Sequence, residues 1–312
     1  MATSGSNGGY VGISHVPTKE DLITSFTSPG TFNRSVPQGD VLVVAGGAGT
    51  WEDASGGGAG GVRFTPAHPL PASAVSVTVG AGGTGVPSNP FAPGSGGGSE
   101  FTTSPAIQSS GGGSGTNDSG YPGVPGGSGG GATYGPSGAS VIFGEGTSGE
   151  GNDGGQGYRL APQYGNRGGG GGKAAAGGNA PSGPDPSPGG VGGAGTDYSP
   201  TYGTQYGDSG YFGGGGAGAS SRGDTSASGG VGGGGDSITP SQGQWPLVVG
   251  APGTGGGGGN SPGYSSGPAP DGGVTGGSGA VLVKEANVLQ NSSGVWSMQA
   301  VLKNVAAGNW TN

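Results

Sequence analysis

Glycine occurs in this chain in runs, some interrupted by one or two other residues, at 56–61, 96–98, 111–113, 126–131, 168–172, 189–193, 213–216, 232–235, 255–259 and 272–277. Fixing a glycine costs more backbone entropy than fixing any other residue, about 1–2 kcal/mol per position. Ordered runs therefore need a compensating interaction that only glycine permits, and close backbone approach is that interaction. An extended left-handed chain of the polyproline II kind has three residues per turn, a rise of about 3.1 Å and no internal hydrogen bonds. Its N–H and C=O groups point outward and must be satisfied by neighbours, with weaker Cα–H···O contacts adding about 0.5–1 kcal/mol each. The expected fold is a mostly irregular chain built around a polyglycine type II helix bundle, with a small β-strand cap and a short C-terminal α-helix. Collagen is excluded because its glycines must recur at every third position. A solenoid of fixed repeat is excluded because the runs are irregularly spaced.

The rest of the composition supports a backbone-held structure. Glycine and proline make up 113 of the 312 residues, whereas Val, Leu, Ile and Phe together supply 44, too few for a large apolar core. Only 8% of residues are charged, so disorder driven by charge repulsion has no basis either. The net charge of −8, with nine Lys and Arg scattered singly, offers no basic stripe for nucleic acid. There are no cysteines, and His15 and His68 stand alone, so neither a disulfide framework nor a metal cluster is expected. No stretch approaches 18 apolar residues, and MATSGSNGGY lacks the basic start and apolar run of a signal peptide. A chain with no membrane insertion and no export by a signal is expected.

Along the chain, three regions differ in character: 1–24, a leader or attachment segment; 25–284, glycine-rich; and 285–312, a C-terminal helical segment. Strands are expected at 41–45, 61–64, 75–79 and 280–284, where β-branched runs adjoin glycine. Pairing 281–283 with the strand at 41–45 would close a β-cap around the intervening runs. In the last segment Ala300, Val301, Val305 and either Trp296 or Leu302 share a helical face, Lys303 suits the final turns and Gly308 is a C-terminal stop. Trp296, Val301, Leu302 and Trp310 are its docking candidates.

Several motifs invite chemistry. Gly80-Ala81-Gly82-Gly83-Thr84-Gly85 matches G-x-G-x-x-G after a strand, but Pro87 and Pro90 argue against the helix that would receive a pyrophosphate. Gly192 to Asp197 fits one calcium nonapeptide without the tandem copies such sites need. Arg222-Gly223-Asp224 reads as a solvated turn. There is no nucleophile elbow, no Ser/His/Asp set and no spaced carboxylate pair, so neither an enzyme nor a cofactor is expected. The richer signal is aromatic: Tyr198, Tyr202, Tyr206, Tyr211 and Phe212 fall within fifteen residues beside Asp197 and Asp208, with Trp245 in a later insertion. Such groups suit sugars or protein loops, which makes them receptor-binding candidates. The structural alternative is that they cap and shield the ends of the glycine runs.

Taken together, Phe26-Thr27-Ser28-Pro29-Gly30-Thr31-Phe32, Val41-Leu42-Val43-Val44-Ala45-Gly46-Gly47, Gly56 to Arg63 and Val77-Thr78-Val79-Gly80-Ala81-Gly82-Gly83 resemble the glycine-rich domain of bacteriophage tail-fibre and structural proteins. The ending, Gly294 to Gln299 and Ala307 to Trp310, is similar to a tail segment of phage structural proteins. The resemblance implies a virion protein, assembled in the host cytoplasm and released by lysis. Its role would be a tail fibre or tip adhesin for host attachment, with capsid or tail decoration as the alternative. Implied partners are other virion proteins and a bacterial surface receptor, either a sugar or an outer-membrane protein. Virion fibres are often homo-oligomers. Ice binding, a third class, would need rows of Thr or Ala at one spacing, which the insertions do not supply.

Overall fold

In a computed structural model the described residues are 19–51, 54–86, 94–116, 122–133, 142–161, 164–182, 188–220, 225–238, 248–260 and 273–289. The two apolar runs that flank the glycines meet as expected. Strand β3 (Gln38–Val44) and strand β12 (Ala280–Leu289) pair antiparallel with Leu282 opposite Leu42 and Val281 opposite Val43. They form the centre of a four-stranded sheet ordered β1-β12-β3-β4, in which β1 is Lys19–Phe26 and β4 is Val62–Pro69. Successive side chains on a strand point to opposite faces, and here both faces are covered. Val41, Val43, Val281 and Val283 join Phe32, Val75, Val77, Phe101 and Ile107 in one buried cluster. Leu42, Val44, Ala280 and Leu282 join Val62, Tyr202 and Phe212 in another. Burial on both sides is why these strands read as unbroken apolar runs rather than alternating ones.

The first cluster lies against a second four-stranded sheet, β2 (Gly30–Phe32), β5 (Val75–Thr78), β6 (Ser99–Phe101) and β7 (Ile107–Ser109), in the order β2-β5-β6-β7. Phe32 and Phe101 meet there with ring centroids 5.5 Å apart. Two small hairpins complete the described strands: β8 (Tyr158–Ala161) with β9 (Tyr164–Asn166), and β10 (Thr196–Asp197) with β11 (Tyr211–Phe212). Helix α1, Ser199–Tyr202, is a single turn. Glu285, fully buried in β12, ties the loop before β3 to the sheet by accepting the N–H groups of Ser35 and of Val36, the latter at 2.9 Å.

This architecture corrects the expectation of a polyglycine type II helix bundle with a minor β-cap. The regular structure is almost all β, in four antiparallel sheets, with no helix bundle among the described residues. The residues flanking the glycine runs carry Cβ atoms that pair and bury well in ladders, so a strand forms at one end of several runs. The runs then continue those strands instead of forming a separate bundle. The C-terminal helix expected within 285–312 lies outside the described residues beyond Leu289; Glu285 to Leu289 belong to β12.

Between the sheets the glycine runs carry no regular secondary structure, yet their backbone groups are paired. From Ala45 onward, successive N–H groups donate to Gly61, Gly97, Gly277, Gly58, Gly94 and Val274. Every third donor therefore returns to the same neighbour. The run at 56–61 behaves likewise, donating to Gly168, Gly258, Gly113, Gly171, Gly255 and Ser110. Each such run thus bonds three neighbours in turn, and the result is a three-dimensional backbone lattice.

The lattice has two unlike ends. At the sheet end, Lys19 of β1 lies opposite Leu289 of β12, so the chain enters and leaves the described structure side by side. At the opposite end, where runs stop, residues from distant parts of the chain are bonded to one another: Trp51 bridges Val86, Ser55 N–H donates to Thr116, Ile238 N–H to Asn260, and Asn166 bridges Ser220.

Candidate functional site

The tyrosine-rich loop does not lie at the far ends of the runs. It sits at the sheet end, where β10, α1 and β11 fold over the second face of the first sheet. Tyr202 and Phe212 are each 1% exposed and pack on Leu42, Val44, Val62 and Leu282, with half-buried Tyr198 and Tyr206 against the same cluster. Phe64 joins them, 5.6 Å from Tyr198 and 6.3 Å from Tyr202 between ring centroids. Burial pushes the Tyr198 and Tyr202 phenols above their ordinary range, so both stay neutral. The Tyr202 hydroxyl is buried without a hydrogen-bond partner. Tyr211 is half-buried in β11. At the loop tip, the carboxylate of exposed Asp208 accepts the Gly232 N–H at 3.0 Å. Aromatic side chains that sequence alone suggested for a receptor are thus mainly a lid on the sheet.

The other sequence candidates divide simply. Trp245, Trp296, Val301, Leu302 and Trp310 lie outside the described residues, as does Arg222-Gly223-Asp224. Gly80 to Gly85 is part of the lattice: Gly80 N–H donates to Ser99 Oγ and Gly83 N–H to the Gly47 carbonyl, which occupies groups a phosphate would need. In the stretch Gly192 to Asp197, the Asp197 carboxylate accepts the Ser199 N–H at 2.8 Å. No group of three or more metal-ligating side chains occurs among the described residues. None of their helices is long and apolar enough to cross a membrane.

What sequence reading missed is a belt of buried polar residues where the glycine runs stop. Ser55 Oγ lies 2.7 Å from the Gly131 carbonyl and accepts the Thr116 N–H; Thr116 Oγ1 in turn accepts the Thr133 N–H at 3.0 Å. Thr50 Oγ1 donates to Gly259 at 2.8 Å, and the Asn260 amide donates to the Ala54 carbonyl. Each of these side chains is at most 4% exposed. They stand where a run stops: Thr50 after Gly49, Ser55 before Gly56, Thr116 after Gly115, Asn260 after Gly259. A short side chain that can bond a carbonyl replaces the lattice contact where the chain turns away. The belt fixes the ends of neighbouring runs against one another.

The family model described as a glycine-rich domain matches residues 26–285. That span runs from the last residue of β1 to the buried Glu285, so it takes in the second four-stranded sheet, the first apart from most of β1 and the end of β12, and the whole lattice. No curated protein matches the chain.

Proposed function

We propose, from the premise that the chain belongs to the glycine-rich domain family, that it is a non-enzymatic virion protein: a tail-fibre or tip adhesin that attaches to a host surface. The observation that carries this reading is the polarity of the lattice. The described chain begins and ends at the sheet end, with Lys19 opposite Leu289, and that end suits attachment to other virion proteins. The opposite end is held by the polar belt, which joins the stops of the runs at Thr50, Ser55, Thr116 and Asn260. Loops on a rigid scaffold are where recognition residues concentrate, and here the backbone, not a large core, supplies the rigidity. Recognition of a sugar or outer-membrane protein accordingly belongs to residues carried between the glycine runs, Trp245 among them, rather than to the buried Tyr202.

The test is saturable binding of the purified protein to cells of candidate host bacteria. A variant with 239–247 replaced by a short glycine-serine linker should keep its melting temperature and lose cell binding by about tenfold or more, as expected for an aromatic anchor at an interface. Absence of saturable binding to any host would instead favour a decoration role on capsid or tail.

A further inference from the structure

A groove of about 380 Å³ runs along the side of the sheet end, between β4 and β7, lined by Arg63, Thr65, His68, Gln108, Ser110 and Glu150. Its volume falls in the range of small-ligand sites, about 300–1,000 Å³. How β4 presents three residues to it follows from one irregularity. Residues 63 and 65 share a face by the two-residue period of a strand, and residue 68 should point the other way. The register shifts between Gly39 and Val41, where Ala67 sits at φ 51° and its N–H is held by Asp40 Oδ1 at 2.9 Å. This bulge re-aims His68, so that it lines the groove with Arg63 and Thr65.

The two ends of the groove differ chemically. At one end Glu150, 3% exposed, accepts Arg63 Nε at 2.9 Å and the Ser110 N–H at 2.7 Å. The buried carboxylate thereby fixes the guanidinium and leaves its terminal nitrogens for solvent, the arginine side chain being 48% exposed. Lys173 is close enough to feel both charges. Two of the nine basic residues in a chain of net charge −8 are therefore placed around a single carboxylate. At the other end His68 Nε2 lies 2.8 Å from Thr103 Oγ1, whose own hydrogen is given to the Pro105 carbonyl at 2.8 Å. Nε2 must then be the donor, and in the neutral ring Nδ1 is an acceptor. Burial holds His68 below its ordinary pKa and so favours that neutral ring. Between the ends, Gln108 and Ser110 are exposed and can donate or accept.

We propose that this groove binds an acidic oligosaccharide, with a uronate carboxylate on the Arg63 fork and sugar hydroxyls on Gln108, Ser110 and His68. A planar fork with fixed orientation matches a carboxylate in a way a lysine cannot. The five-residue span from Arg63 to His68 is roughly 15 Å of strand, which suits more than one sugar ring. This site does not rest on the adhesin reading.

The experiment is calorimetric titration of the purified full chain with digalacturonate, with a neutral digalactoside and inorganic phosphate as parallel arms. The site predicts saturable digalacturonate binding and about tenfold or more weaker binding of the neutral sugar. Arg63→Gln should lose about tenfold or more. Because that change also strips a buried carboxylate of its partner, Gln108→Ala serves as the second variant. It should weaken binding severalfold with an unchanged melting temperature. Equal binding of acid and neutral sugar, phosphate binding as tight as digalacturonate, or unchanged affinity in Gln108→Ala and Arg63→Gln would each overturn the proposal.

Discussion

Gly170→Val is expected to leave the protein unfolded, or destabilised by more than about 4 kcal/mol, a loss reserved for a few severe mechanisms. Gly170 N–H donates to Gly216 at 2.8 Å, and a Cβ built on Gly170 would land on the Gly57 carbonyl, inside the closest approach real Cβ atoms make. Gly57 is itself tied to Gly216 and Gly258. Admitting the side chain therefore means parting two runs that share bonds with a third. A flexible side chain could swing aside, but backbone in a lattice cannot. Gly149→Ala is the control: Gly149 has φ 80°, so alanine is strained there, but nothing lies within 4 Å of its Cβ. That substitution should cost about 1–2 kcal/mol, the penalty of the left-handed region alone. Chemical denaturation of the two variants separates close approach from conformational freedom. A Gly170→Val protein as stable as Gly149→Ala would remove the argument that close approach holds the runs together.

The second large effect lies in the aromatic lid. Phe212→Ala should destabilise by about 3–5 kcal/mol, the range for emptying a buried aromatic site, because its ring fills the face made by Leu42, Val44 and Leu282. Deleting 197–212 should unfold the protein rather than merely abolish recognition. Tyr202→Phe discriminates between packing and polarity. The Tyr202 hydroxyl has no partner where it is buried, so removing it should be neutral or mildly stabilising. A tyrosine that served mainly to contact a ligand would show the reverse: Phe212→Ala and Tyr202→Phe with wild-type melting temperatures and altered binding.

Part of this fold is legible in the residues. Val41 to Val44 and Ala280 to Val283 announce themselves because a strand covered on both faces reads as a continuous apolar run. Their pairing follows from there being few other apolar runs to pair with. Strands β2, β6 and β7 are not legible, since each is three residues long; β2 and β6 become strands through partners far along the chain, Val75 opposite Phe32 and Val77 opposite Phe101, and β7 forms only on β6. Lys19 to Phe26 reads as the end of a leader because Lys19, Glu20 and Asp21 are charged, yet it pairs with β12 as an edge strand, where charges are tolerated. Strand β4 runs on past residue 64 to Pro69; its two prolines are accommodated at the edge of the sheet.

The site was legible only in outline. Tyrosines among glycines and aspartates look like a surface, and nothing local reveals that the loop closes over Leu42 and Leu282. The polar belt does leave a trace, a Ser, Thr or Asn at the point where a run stops, but that trace acquires meaning only once the stops are seen to lie together. The groove beside Arg63 depends on Glu150, 87 residues away along the chain, and on a bulge at Ala67. Neither is visible in the order of residues.

The account rests on glycine runs whose amides are paired in a rigid lattice, and amide hydrogen exchange reads that directly. The N–H groups of Gly57, Gly58 and Gly170, bonded to Gly258, Gly113 and Gly216, should exchange as slowly as those of Val43 and Leu282 in the central strands, through opening of the whole structure. Protected strand amides beside glycine amides that exchange at the rate of an unfolded peptide would contradict it.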